Sequence, residues 1–150
     1  MSTKLPELPE LKVYVSSTSD DLKSYRAEVI TALRKMEGIK PVCMEDYVAQ
    51  DKFPVDKCLA DVSTCNIYVG IFARRYGFIP RGDDKSITEL EYRKAVEVGI
   101  PPLIFLLKES IIKWPDKYCD KGKDKLRINA LKKEFKDLHC FSSDGIGHFP

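Results

Sequence analysis

The sequence predicts an α/β domain in which helices cover both faces of a parallel β-sheet. Short β-rich runs alternate along the chain with amphipathic helical stripes, and this alternation is typical of a doubly wound sheet with right-handed crossovers. The runs at 66–73 and 101–107 are almost continuously apolar, as expected for parallel strands buried on both faces. A chain of 150 residues with 43% apolar residues can bury enough surface for one core of this kind.

The first half of the chain contains two predicted strand and helix units. A strand at 12–16 ends in a Ser, Thr and Asp cluster, which caps a helix that begins near Asp21. A second strand at 40–44 contains Pro41 near its start, and proline favours an edge position in a sheet. A second amphipathic helix follows from about residue 54.

The second half continues the alternation. Its predicted elements are a central strand (66–73), a loop (74–85), a helix from Ser86, a strand (101–107), an irregular stretch (114–125), a helix ending at His139 and a fifth strand beginning at Cys140 and Phe141. We predict five parallel strands in the flavodoxin-like order 2-1-3-4-5, in which the loops after the first and third strands face each other across a ligand crevice. The expected boundaries are a leader (1–11), the α/β domain (12–142) and a flexible tail (143–150).

Composition limits the classes of partner and compartment. The 25 Lys and Arg residues nearly balance the 23 Asp and Glu residues, and no basic block indicates a nucleic-acid partner. No apolar run approaches the roughly 18 residues of a membrane span. The five cysteines form no CxxC spacing, so we expect free thiols, no metal and no cofactor, in the cytoplasm.

Two glutamates of the helix that begins at Ser86 have different expected roles. Ser86 and Glu89 match a capping box, in which the serine hydroxyl accepts a helix N–H and the glutamate accepts the serine N–H. This cap fixes the helix phase, which places Glu91 on the apolar stripe that includes Ala95 and Val98. Burial of a carboxylate is costly and raises its pKa, so we predict that Glu91 is catalytic.

Two structural alternatives for Glu91 stay open at this point. One is a salt bridge to an arginine such as Arg26 or Arg75. The other is a rotation of the helix that leaves the carboxylate in water, where most glutamates are found.

Candidate ligand-binding residues follow the first and third predicted strands. Ser16, Ser17 and Thr18 precede a helix N-terminus, where backbone N–H groups attract phosphate or another anion. Arg75 and Tyr76 follow the third strand and offer a guanidinium group for phosphate and a ring for a base. The same loop also carries Arg74 and Phe78.

Several of these motifs together resemble the family catalogued as domain of unknown function 4062. The resemblance covers about residues 12–108 and rests on Val15-Ser-Ser-Thr18, Asp21-Leu22, Arg26, Met44-Glu45, Asn66-Ile-Tyr-Val-Gly-Ile71, Arg75-Tyr-Gly77 and Ser86-Ile-Thr-Glu-Leu-Glu-Tyr92. Members of that family often precede STAND-type NTPases, including bacterial antiviral ones. The resemblance therefore implies a sensor or effector role in such signalling.

A more distant resemblance concerns the glutamate-bearing helix. The segments Glu91 to Ala95 and Val98 to Pro101 are similar to those of nucleoside deoxyribosyltransferases and of Toll/interleukin-receptor-like (TIR-like) NAD hydrolases. This resemblance implies a TIR-like domain that acts as an N-glycosidase on a nucleotide-type small molecule, with Glu91 as the catalytic residue and NAD as the favoured substrate. A non-catalytic module that self-associates and a nucleotide sensor without turnover are the alternatives.

Overall fold

The computed structural model describes residues 6–7, 9–46, 55–108 and 114–139. Strands and helices alternate along them as β1 (Leu11–Ser17), α1 (Lys23–Arg34), β2 (Ile39–Val42), α2 (Val55–Thr64), β3 (Ile67–Phe72), α3 (Ile87–Val98), β4 (Pro102–Leu106) and α4 (Gly122–His139). Short 3-10 turns lie at Met44–Asp46 and Asp116–Tyr118. The predicted alternation is therefore confirmed.

The strands form one parallel sheet in the order β2-β1-β3-β4. This is the predicted order for the first four strands, with β3 inside the sheet and β2, which contains Pro41, at an edge. The described residues form four strands where we predicted five. The residues expected to begin the fifth strand, Cys140 and Phe141, lie outside the described ranges.

Helices cover both faces of the sheet because side chains alternate along each strand. On one face, Val13 of β1 and Val69 and Ile71 of β3 pack with partly buried side chains of α1. On the other face, tyrosine and phenylalanine side chains of β1 and β3 pack against α2, α3 and α4; they are Tyr14, Tyr68 and Phe72. The apolar surface removed from water on both faces is the main force that holds the layers together.

The start of α4 corrects one expectation about the sequence. The helix begins at Gly122, inside the stretch 114–125 that we predicted to be irregular. Lysine is a good helix former, and the buried residues Ile128, Leu131 and Phe135 fix the helix on the sheet. Residues 122–125 therefore form the first turn of the helix, whereas 114–121 contain only a 3-10 turn and are otherwise irregular, as predicted.

Among the described residues, no helix combines the length and the apolar character that crossing a membrane requires. The thiols of Cys43, Cys58, Cys65 and Cys119 are free, and Cys140 lies outside the described ranges.

Candidate functional site

A cleft of about 350 Å³ opens at the carboxyl ends of β1 and β3. Ser16 pairs with Gly70 and Ser17 with Ile71, so the two strands end side by side. The cleft is lined by the loop after β1, the loop after β3 and the first turns of α3. The prediction that these two loops meet is therefore confirmed.

The loops approach each other closely at Gly77. Its φ of +99° lies in a region that side chains disfavour, and a Cβ added there would lie 3.2 Å from Cγ2 of Thr18. Glycine therefore allows the loop after β3 to close against the loop after β1.

Glu91 lies in the wall of this cleft, as the helix phase predicted. Glu91 is 7% exposed, and burial raises the pKa of its carboxyl group to about 7. The hydroxyl of Tyr14, the positive charge of Arg26 and the hydroxyl of Ser16 act in the opposite direction. Glu91 is therefore a buried carboxyl group that changes its protonation state near neutral pH.

Arg26 forms its ion pair with Glu45 and not with Glu91, which was one of the structural alternatives. Arg26 is 2% exposed, and its Nε and Nη2 donate to the two carboxylate oxygens of Glu45 at 2.6 and 3.0 Å. Although partial burial opposes it, this pairing lowers the pKa of Glu45. Arg26 therefore has its own carboxylate partner and acts on Glu91 only as a nearby charge.

The three predicted polar residues at the end of β1 differ in their contacts: Ser16 and Ser17 are its last two residues, and Thr18 follows it. Ser17 Oγ accepts from Arg26 at 2.9 Å and donates to the carbonyl oxygen of Thr18 at 2.7 Å. Thr18 Oγ1 donates to Asp21 at 2.5 Å. Both hydroxyls therefore have structural partners, although both residues line the cleft.

Ser16 is the exception. It is 1% exposed, and its Oγ has no hydrogen-bond partner among the described residues. The oxygen is close enough to Glu91 to lower the pKa of that carboxyl, but it reaches hydrogen-bonding geometry with no described atom. An unpaired buried hydroxyl costs about 1–3 kcal/mol, so Ser16 has bonding capacity for a ligand in the cleft.

Of the two residues predicted after β3, only Arg75 lines the cleft. Its Nη1 lies 3.8 Å from a carboxylate oxygen of Asp20, and its side chain is 28% exposed. Tyr76 does not line the cleft, which corrects the prediction: it is 2% exposed, and its hydroxyl donates to Glu89. In this loop the ring that lines the cleft is that of Phe78, which is 71% exposed.

Tyr76 also modifies the predicted capping box. Ser86 Oγ accepts from the Glu89 backbone N–H at 3.2 Å, as expected. The Ser86 N–H, however, donates to the Tyr76 hydroxyl at 3.2 Å, and the Glu89 carboxylate is held by that hydroxyl and by Nη2 of Arg93 at 3.0 Å. Glu89 therefore has a structural role at the start of α3.

Other residues of the cleft were not predicted from the sequence. Tyr14 precedes Ser16 by two positions, and the two-residue period of a strand indicates that both face the same side. Cys58 of α2 and Thr88 of α3 also line it, and no local pattern marks them. Within the described residues, no group of three or more His, Cys, Asp and Glu side chains could hold a metal ion.

Fold and site together define an α/β protein with a buried carboxyl group in a cleft at the ends of its parallel strands. Residues 12–144 match the family described as Domain of unknown function (DUF4062), and the chain belongs to this family. No functionally curated protein matches the chain. Among solved structures, it is similar to a 2-desoxiribosyltransferase from Leishmania mexicana at 14% sequence identity and a TM-score of 0.47, over 87% of this chain and 99% of that chain.

Proposed function

We propose that the cleft binds a nucleotide-type small molecule and that Glu91 promotes cleavage of its N-glycosidic bond, with NAD as the favoured substrate. The observation that carries the proposal is the buried Glu91 carboxyl group in the cleft wall, whose pKa is raised to about 7. Perturbed carboxyl groups in clefts are typical of sites that carry out chemistry.

The cleft contains groups suited to each part of such a ligand. Arg75 offers a partly exposed guanidinium for phosphate, and Phe78 offers an exposed ring on which a base can stack. The unpaired Ser16 hydroxyl can bond a ribose hydroxyl close to Glu91. We propose Ser16, Arg75 and Phe78 as binding residues, with Ser17 and Thr18 shaping the loop.

The proposed reaction needs no cofactor. The bond between C1′ of the ribose and the nitrogen of nicotinamide breaks, and the electron pair leaves with neutral nicotinamide. The ionised Glu91 carboxylate stabilises the cation that develops at C1′. Water then adds to C1′ and loses a proton, which gives ADP-ribose.

The experiment compares NAD with carba-NAD, in which a methylene replaces the ribose ring oxygen and prevents formation of the oxocarbenium ion. The protein at high concentration should bind both compounds in calorimetry and release nicotinamide only from NAD. Arg75→Gln should weaken the binding of both by about tenfold, because it removes a charged hydrogen bond to phosphate. The matched control is Arg81→Gln, on an exposed arginine of the same loop that lies outside the cleft.

The outcomes separate the candidate functions. Binding of both compounds without release of nicotinamide would favour a nucleotide sensor without turnover. Absence of binding would contradict the proposal and favour a module that acts by self-association. A role in antiviral signalling, which the family resemblance implies, stays a prediction for cell-based work.

A further inference from the structure

Tyr68 of β3 has a buried hydroxyl group without a hydrogen-bond partner. The residue is fully buried, and its hydroxyl oxygen, like Ser16 Oγ, bonds no other group in the part of the chain that the structure describes. Buried hydroxyl groups are almost always paired, because burial removes their hydrogen bonds to water. The Tyr68 hydroxyl therefore calls for a reason beyond packing.

The sheet register brings the Tyr68 hydroxyl toward Ser16. Tyr68 pairs with Tyr14, and Gly70 pairs with Ser16, two positions further along both strands. Side chains two positions apart on a strand lie on the same face of the sheet. Gly70 has no side chain, and the Tyr68 ring occupies its place, since a Cβ added at Gly70 would lie 2.9 Å from Cε1 of Tyr68. The ring therefore extends toward the carboxyl ends of the strands, where Ser16 lies.

The protonation state of Tyr68 makes its hydroxyl a hydrogen-bond donor. Burial raises the pKa of this hydroxyl well above its ordinary value, the negative charge of Glu91 acts in the same direction, and the Ser16 hydroxyl opposes both. Tyr68 therefore keeps its proton around neutral pH, close to both Ser16 and Glu91.

Four elements bring titratable or charged groups to Glu91. These groups are Tyr14 of β1, Arg26 of α1, Cys58 of α2 and Tyr68 of β3. Arg26 is paired with Glu45, and burial raises the pKa of the Cys58 thiol, which therefore stays neutral. Among the described residues, an ionised Glu91 thus depends on hydroxyl groups for its hydrogen bonds.

We propose that Tyr68 is a positioning residue: its hydroxyl donates to Ser16 Oγ, and Ser16 donates to the Glu91 carboxylate once that group loses its proton. A serine hydroxyl has one hydrogen and two acceptor lone pairs. Ser16 can therefore donate to Glu91 while it accepts from Tyr68 and from a ribose hydroxyl. Hydrogen bonds in catalytic sites are often long or poorly aligned before the reactive state forms, which accounts for the two unpaired hydroxyl groups.

This hydrogen-bond chain, from Tyr68 through Ser16 to Glu91, favours the ionised form of the carboxyl group. The role of Tyr68 rests on the proposed function, in which the ionised Glu91 is the active form. It adds to that function a residue that does not line the cleft.

The test is a titration of Glu91 by carbon-13 NMR in protein labelled at the glutamate carboxyl groups, without ligand. The Glu91 signal is identified by its loss in Glu91→Gln. Tyr68→Phe should raise the midpoint of the titration, about 7 in wild type, by about half a pH unit, because the ionised form loses a donor. In Ser16→Ala protein, Tyr68→Phe should add no further rise, because the chain passes through Ser16.

The matched control is Tyr92→Phe. Tyr92 is 1% exposed, its ring centroid lies 6.2 Å from that of Tyr68, and its hydroxyl bonds Nε2 of His139 at 2.7 Å. This substitution removes a buried hydroxyl from the same aromatic cluster and should leave the Glu91 midpoint unchanged.

Nicotinamide release supplies a second readout. Release by Tyr68→Phe should be about threefold below that of wild type at about pH 6.5, and the two should converge at about pH 8.5, where Glu91 is ionised in both. A loss of release that stays the same at all pH values would indicate a structural defect and would contradict the positioning role.

Three titration results would overturn the inference: an unchanged midpoint in Tyr68→Phe, equal rises in Tyr68→Phe and Tyr92→Phe, or a further rise when Tyr68→Phe is added to Ser16→Ala. Because the titration uses no NAD, it can fail separately from the proposed function. A raised midpoint in a protein that releases no nicotinamide would contradict the proposed function alone, and an unchanged midpoint in an active protein would contradict the hydrogen-bond chain alone.

Discussion

Glu89 and Glu91 are two buried carboxyl groups on one helix with different surroundings. Glu89 is held by the Tyr76 hydroxyl and the Arg93 guanidinium, and it supports the start of α3. Glu91 faces the cleft, where burial raises its pKa to about 7, and Arg26, which acts on it as a nearby charge, is paired with Glu45. Residues two positions apart on a helix differ by about 200° in direction, so one helix separates a structural carboxylate from a chemical one.

The different roles of Glu91 and Glu89 can be tested by neutralising each carboxylate in turn. Glu91→Gln keeps the size of the side chain but removes the charge that stabilises the developing cation, so nicotinamide release should fall by about a thousandfold. Glu89→Gln should leave release within about threefold, because Glu89 lies in a structural network. Equal nicotinamide release by wild type and Glu91→Gln would contradict the catalytic role of Glu91. Loss of release in Glu89→Gln alone would mean that Glu89 is the catalytic residue and Glu91 the structural one.

The raised pKa of Glu91 should also make the free energy of unfolding depend on pH. Because the folded protein holds the Glu91 proton with a pKa of about 7 against an ordinary 4.5, the free energy of unfolding should fall as pH rises between these values. The contribution of this one group is at most about 3 kcal/mol. Chemical denaturation from pH 4.5 to 8 should show a smaller fall in Glu91→Gln than in wild type.

Glu97→Gln is the matched control for this measurement, since Glu97 is an exposed residue of the same helix. It should keep the wild-type pH dependence. A parallel pH profile of kcat/KM should rise through about pH 7, because the ionised carboxylate is the active form. Activity that falls over this range would contradict the role of an ionised Glu91.

The structural role of Glu89 depends on the hydroxyl group of Tyr76. Tyr76→Phe keeps the ring but leaves the Ser86 N–H without its acceptor and Glu89 without one donor, so it should destabilise the protein by about 2 kcal/mol. Tyr118→Phe, at a half-buried tyrosine near α4, should change stability by less than about 0.5 kcal/mol. Equal stability of the Tyr76 variant and wild type in urea titrations would show that this network is not structural.

The smallest expected effect comes from substituting Ser16, which should raise stability and weaken ligand binding. Ser16→Ala removes a buried hydroxyl that has no described partner, so it should stabilise the protein by up to about 1 kcal/mol while it weakens NAD binding. Ser17→Ala is the contrast, because its hydroxyl bonds Arg26 and Thr18, and its loss should destabilise the protein. Destabilisation by both substitutions would mean that the Ser16 hydroxyl is already satisfied.

The features that the sequence predicted correctly depend on periodic patterns. The continuous apolar run of β3 identified a buried strand, and the phase of α3 placed Glu91 in the cleft wall. The run at 101–107 also forms a strand, but β4 ends the described sheet and is only partly buried, which corrects the prediction that it is buried on both faces. The loop after β3 has no period, so the sequence could not distinguish Tyr76, which turns inward, from Phe78, which lines the cleft. The position of Tyr14 could have been predicted, because the alternation of side chains along β1 places it on the same side as Ser16.

The buried guanidinium of Arg26 restricts which sequences this fold can accept. It donates to both oxygens of Glu45, to Ser17 Oγ and, at 3.4 Å, to the Val15 carbonyl oxygen. A lysine has one nitrogen and cannot reach these acceptors in the same planar arrangement. Positions 26 and 45 should therefore covary among homologues, with an apolar residue at 26 accompanied by loss of the acid at 45.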